Sequence, residues 1–173
     1  FFGALSDRTS TKIGRRMPFI LGGTAAAVIL MNLLPVFDNG YAATGETGKL
    51  ALFVVVLGLL LVAMGTYRSP AVALMPDVTP KPLRSRANAI INLMGAVGGI
   101  MYLAVAAVLY PNSKTEGLAH VNYQPLFIVV SVLMAASVII LYFTTNEPKL
   151  AAAEKEYEAE HPEQQLVEEE PDG

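Results

Sequence analysis

The chain has 173 residues, 53% hydrophobic and 16% charged, with a mean hydropathy of +0.47 and a formal net charge of −3. That balance is too apolar for an ordinary soluble domain, and no nucleic-acid partner is expected. With no cysteine, these residues can form neither a disulfide framework nor a thiol nucleophile nor a thiolate metal site.

Four long uncharged windows, 17–37, 50–67, 87–113 and 117–146, hold 21, 18, 27 and 30 residues. Crossing about 30 Å of hydrocarbon takes about 20 helical residues at about 1.5 Å rise, so all four windows are long enough or nearly so. Soluble buried helices rarely hold so long an uninterrupted apolar run. The expected fold is an all-α membrane protein.

The chain opens on FFG, followed by GALSDRTSTKIGRRMPF, in which Arg8, Lys12, Arg15 and Arg16 stand directly before the first apolar run. No basic segment followed by a short apolar stretch marks a signal peptide. Phe1 and Phe2 read as the end of an earlier helix, and the chain as a piece of a longer one. Helix one is expected over about 18–36, started by Pro18 and ended by Pro35 and Asp38-Asn39-Gly40. Helix two is expected over about 50–67, after which Pro70, Pro76, Pro80 and Pro82 should prevent one long helix. Helix three is expected over about 86–109, stopping at Tyr110-Pro111, and helix four over about 126–143.

The tail, 147–173, holds ten acidic residues against two lysines, whereas residues 1–146 carry ten cations and five acids. PKLAAAEKEYEAE can start a helix on the membrane surface; HPEQQLVEEEPDG has too few apolar residues for a core and is expected to be disordered. A solvated acidic linker is the default expectation.

Lys and Arg are unequally divided. Ten lie on the opening segment, the middle loop and the tail, and only Lys49 and Lys114 lie on the two opposite loops. The cation-rich side, with the C-terminal tail, is therefore expected to be cytoplasmic, in a multi-pass protein of the cell membrane. No Asp, Glu, Lys, Arg or His lies near the middle of a helix, so neither a proton relay nor an intramembrane catalytic dyad is visible, and no enzyme is expected. His120 and His161 lack ligand partners at useful spacing, so no metal or other cofactor is expected.

Small residues recur at helix-packing spacing: Gly22 and Gly23 with Ala26 and Ala27, Gly95 with Gly99, and Ser131 with Ala135. Asn88, Asn92, Gly95 and Gly99 form one stripe on helix three. Its two amides serve either interhelical hydrogen bonding or contact with a polar solute in a cavity, with Tyr67 nearby as a further candidate for the lining. The loop cations can be explained by topology alone, but Gly3, Asp7 and Gly14 cannot, since neither glycine nor aspartate orients a helix.

The opening segment resembles the loop signature between helices two and three of the major facilitator superfamily, usually written G-x-L-x-D-R-x-G-R-R. Gly3, Leu5, Asp7, Arg8, Gly14, Arg15 and Arg16 match it, with TSTKI lengthening the gap between Arg8 and Gly14. That longer form looks like the glycoside-pentoside-hexuronide cation symporters and the plant sucrose-proton symporters. YRSPAVALMPDVTPKPLRSRANAIINLMGAVGG is similar to the stretch from the end of helix four through helix five of sucrose-type carriers, with Arg68, Pro70, Ala73, Leu74, Asp77, Ala87 and Asn88 in recognisable places. Within sucrose-type carriers an acidic residue lies in helix four, some seven residues before the position of Arg68; here that place is Leu61.

The resemblance implies part of an N-terminal six-helix bundle, from the end of helix two through helix six and the central linker. The missing helices of the same polypeptide and the lipid bilayer would be its structural partners. It implies secondary transport by alternating access of a small polar solute, a sugar or glycoside, coupled to H+ or Na+. Other expectations are a carrier or exporter of another small organic solute, or a membrane scaffold with an acidic recruitment tail. Asp7 is expected to act as a charge latch, accepting hydrogen bonds from a nearby helix N-terminus or pairing with a cation, and Asp77 with Arg84 and Arg86 offers a second latch; such contacts can exist in one conformation and break in the other.

Overall fold

The computed structural model describes residues 11–162. Six helices follow in order: α1 (Met17–Thr44), α2 (Thr47–Val78), α3 (Lys81–Leu109), α4 (Asn112–Thr115), α5 (Gln124–Thr144) and α6 (Glu147–Glu160). Among the described residues there is no strand, only an isolated bridge closing a turn between Thr11 and Gly14. Helices α1, α2, α3 and α5 are each long and apolar enough to cross a membrane.

The packed centre lies between α1 and α2. Ala27 and Leu34 of α1 meet Val56, Leu60 and Ala63 of α2, and Phe127 and Met134 of α5 pack against that cluster. Close approach has a specific cause at Gly23, where an added Cβ would lie 2.8 Å from the Cβ and 2.9 Å from the backbone nitrogen of Tyr67. Only a residue without a side chain lets the two helix backbones come so near. Deep in the apolar layer the Asn32 amide donates to the Ser131 hydroxyl at 2.6 Å and to the Val28 carbonyl at 2.8 Å, tying α1 to α5. A half-buried amide in hydrocarbon is tolerated because its donors are satisfied in this way.

Helix α3 has no buried residue and touches α2 and α5 only lightly. Ile100 is 67% exposed, Val108 76% and, on α5, Phe143 79%. Apolar surface of that extent is not stable against water, whereas lipid or further helices can cover it. The chain is a multi-pass membrane protein.

The helix ends depart from the sequence expectations. Helix α1 runs through Pro35 and Asp38-Asn39-Gly40 to Thr44, not stopping near Val36, and ends at Gly45, whose φ of 64° makes the left-handed cap. Helix α2 runs through Pro70 and Pro76 to Val78, well beyond Tyr67. A proline removes one backbone hydrogen bond but does not force an end where neighbouring helices and polar side chains support the backbone, and Pro70 is fully buried among them. Helix α3 begins five residues early, at Lys81, with Pro82 in its first turn, where a missing N–H costs nothing. The α5 bounds lie within two residues of 126–143. The first half of the tail, where PKLAAAEKEYEAE can start a helix, is the helix α6, and in place of a solvated linker it is docked on the end of α2. Residues 163–173 lie outside the described residues, as does their expected disorder.

Candidate functional site: a charged cluster at the cation-rich end

The start of α1, the end of α2, the start of α3 and the linker helix α6 converge at one end of the bundle. Their meeting point is the turn before α1. Gly14 has φ 117° and donates its N–H to the Thr11 carbonyl at 3.1 Å, while the Thr11 hydroxyl donates to the Gly14 carbonyl. This φ is strained for any residue with a side chain, and a Cβ at Gly14 would also collide with the Glu147 carboxylate.

Immediately after the turn, the Glu147 carboxylate accepts the backbone N–H groups of Arg15 at 2.8 Å, Arg16 at 3.0 Å and Met17 at 3.0 Å. The first N–H groups of a helix have no partner within it, and the helix dipole is positive at that end. A carboxylate there satisfies three donors and matches the dipole. Glu147 is only 3% exposed, so water does not compete for it. Its own helix is capped separately, by the Asn146 side chain accepting from the Lys149 N–H at 3.2 Å.

With its backbone so fixed, Arg16 sends its side chain to Asp77 in the last turn of α2, Nε to Oδ2 at 2.5 Å, and Arg15 reaches the same oxygen at 3.7 Å. The Arg16 side chain is 8% exposed and that of Asp77 20%, which makes this a largely desolvated, charge-assisted pair. Asp77 was expected to pair with Arg84 and Arg86, and it pairs across the bundle with the opening motif. Arg84 is committed elsewhere. It donates to the Thr79 and Pro76 carbonyls at 3.0 Å, closing the end of α2, and to Glu154 at 2.9 Å, and its ion pair with Glu158 is 3.5 Å. Burial pushes the Glu154 carboxyl above its usual range, aided by the hydrogen bond and charge of Glu158 and opposed by Arg84. Arg86 is exposed and joins none of these carboxylates; Arg68 is exposed beside an open groove with Gly65 and Pro76.

Gly3, Asp7 and Arg8 lie outside the described residues. Tyr67 packs over Gly23, while Asn88 and Asn92 lie on the exposed face of α3. A Cβ at Gly22, Gly95 or Gly99 would meet nothing within 4 Å, so among the described residues only Gly23 of the four expected packing glycines stands at a helix contact. A groove of about 440 Å³ between α3 and α5 is lined by Met94, Met101, Tyr102, Leu133 and Met134, with Ser137. A sugar site needs several converging hydroxyls and amides, and here only Tyr102 and Ser137 supply polar side-chain atoms.

At the opposite end the contacts are polar but less charged. Asn39 donates to Asn122 at 2.8 Å and accepts from His120 Nε2 at 2.8 Å, with Asp38 3.6 Å from the same ring nitrogen. His120 thus has a carboxylate partner that spacing along the chain did not reveal. Among the described residues no three His, Asp or Glu side chains are placed to hold a metal ion.

Sequence reasoning missed Glu147, Glu154 and Asn32. A carboxylate just past a membrane helix reads as a solvated charge, and the helical reading of PKLAAAEKEYEAE did not say what that helix would dock on.

Comparison with known proteins agrees with this architecture. Residues 1–168 match the Major Facilitator Superfamily. Sucrose transport protein SUC4 of Arabidopsis thaliana is 30% identical over 169 residues, covering 89% of this chain and 33% of the relative. Sucrose transport protein SUC3 of the same plant is 32% identical over 62% of this chain and 20% of the relative, and Sucrose transport protein SUT3 of Oryza sativa subsp. indica 28% over 92% and 36%. The chain thus spans about a third or less of the length of these relatives. No solved structure matches it. The opening motif, the paired cluster it forms with Asp77 and the sequence match over nearly the whole chain place it in one family: the chain belongs to the Major Facilitator Superfamily.

Proposed function

We propose that the chain is part of the first helical bundle of a secondary transporter for a neutral, hydroxyl-rich solute, a sugar or glycoside, taken up with H+ or Na+ by alternating access. The observation that carries this reading is the Arg16–Asp77–Glu147 cluster, because an alternating-access carrier needs one end of each bundle held as a rigid unit. Two further features support it. The relatives are sucrose transport proteins, and no ionisable side chain lies in the middle of α1, α2, α3 or α5 to pair with an ionic solute. The ten-to-two division of Lys and Arg supports placing the charged cluster and α6 in the cytoplasm of a cell-membrane protein. A cysteine at Asn39 should then react with a membrane-impermeant thiol reagent in intact cells, and one at Thr11 should not; the reverse pattern contradicts the orientation.

Solute class is tested by reconstituting the full-length carrier and measuring uptake of labelled disaccharides, monosaccharides, an organic anion and an organic cation. Saturable uptake of a sugar is expected. Transport of only the ionic solutes favours a carrier or exporter of another class, and no transport at all favours a scaffold.

A further inference from the structure

We infer that Glu147 is a positioning residue of the cytoplasmic gate and that α6 is a strap across the bundle end, which makes the linker a working part of the carrier; this rests on the transport reading above. The geometry is sequential. Glu147 holds three consecutive N–H groups, of Arg15, Arg16 and Met17, and so fixes the backbone from which the Arg16 side chain departs. Arg16 in turn reaches Asp77 at the end of α2. Seven residues further along α6, about 10 Å at about 1.5 Å per residue, Glu154 holds Arg84 at the start of α3, with Glu158 one turn beyond. One short helix thereby ties together the ends of three membrane helices.

All these partners belong to one bundle with its linker, so the contacts need not break when one bundle rocks against the other. Glu147 is therefore a brace, distinct from a latch that opens in each cycle. What the brace presents outward is Arg15, whose side chain is 45% exposed beside the buried Arg16–Asp77 pair. Removing the Glu147 charge should leave the helices inserted but let Arg15 and Arg16 turn away, slowing the conformational step and sparing solute affinity.

The test is a double-mutant cycle of Glu147→Gln and Asp77→Asn in the full-length carrier, read by thermal unfolding in detergent and by uptake after reconstitution, with Glu147→Asp as the milder, charge-retaining variant. If Glu147 acts through Arg16 on Asp77, each single variant lowers the Tm and the double variant falls little below the worse single one. Maximal uptake rate should drop by about tenfold with KM within about twofold of wild type, and Glu147→Asp should recover part of the rate. Additive Tm shifts would overturn the positioning role, and lost stability with an unchanged uptake rate would overturn the role in the gate. A wild-type carrier that moves no sugar but retains non-additive Tm shifts would sink the sugar reading and leave the brace standing.

Discussion

Gly14 combines two demands that a sequence motif shows as one letter. It adopts φ 117° and lies directly beneath the Glu147 carboxylate, so a methyl group there costs both backbone strain and a displaced cap. Gly14→Ala should destabilise the bundle by about 1 to 3 kcal/mol, seen as a lower thermal midpoint of the detergent-solubilised carrier. An unchanged midpoint would mean that the turn relaxes without loss. The glycine was legible from its place between Arg8 and Arg15, because a loop that only orients helices needs no glycine. Its carboxylate partner was not, because the contact joins residues 132 or so positions apart and nothing local distinguishes Glu147 from the other acids of the tail. The same holds for Asp77: its nearest cations along the chain are Lys81 and Arg84, yet Arg16, 61 residues away, holds it.

At the scale of elements, four long apolar helices were visible in the uncharged windows, while their ends were not. Proline and the Asp38-Asn39-Gly40 triplet disfavour helix by local propensity, but α1 and α2 continue past them where packing and an available left-handed glycine at Gly45 decide the end. The linker helix shows the opposite case, a polar segment ordered by tertiary ion pairs. Its docking should depend on pH. The Glu154 carboxyl titrates above its ordinary value of 4.5 when docked, chiefly because it is buried, so the docked state holds a proton more tightly than the undocked one. Docking therefore strengthens as pH falls from the raised value towards the ordinary one, and does not change further above the raised value. A spin label on the exposed Ala152 should become less mobile on mild acidification, and Glu154→Gln should remove that response while keeping the label immobile. Greater mobility in acid would reverse the assignment.

For the whole molecule, the helices cluster unevenly: α1, α2 and α5 share a core, whereas α3 leaves its Asn88, Asn92, Gly95 and Gly99 stripe facing outward. Their spacing puts those four residues on one face of a helix, but a face alone does not say what covers it, and the chain spans about a third or less of the length of its sucrose-transporter relatives. Coupling carries the same dependence. Leu61 is exposed on α2 at the place where the resemblance to sucrose-type carriers implies an acid, so the described helices supply no carboxylate in mid-membrane for a cation. Sugar transport with a coupled cation is measured as the initial rate of sugar uptake into proteoliposomes of the full-length protein under an imposed proton gradient, a sodium gradient and no gradient. Saturable sugar accumulation driven by one of the two gradients is expected. Equilibration at the same rate in all three conditions would contradict cation symport, and no sugar movement in any of them would contradict the sugar carrier itself.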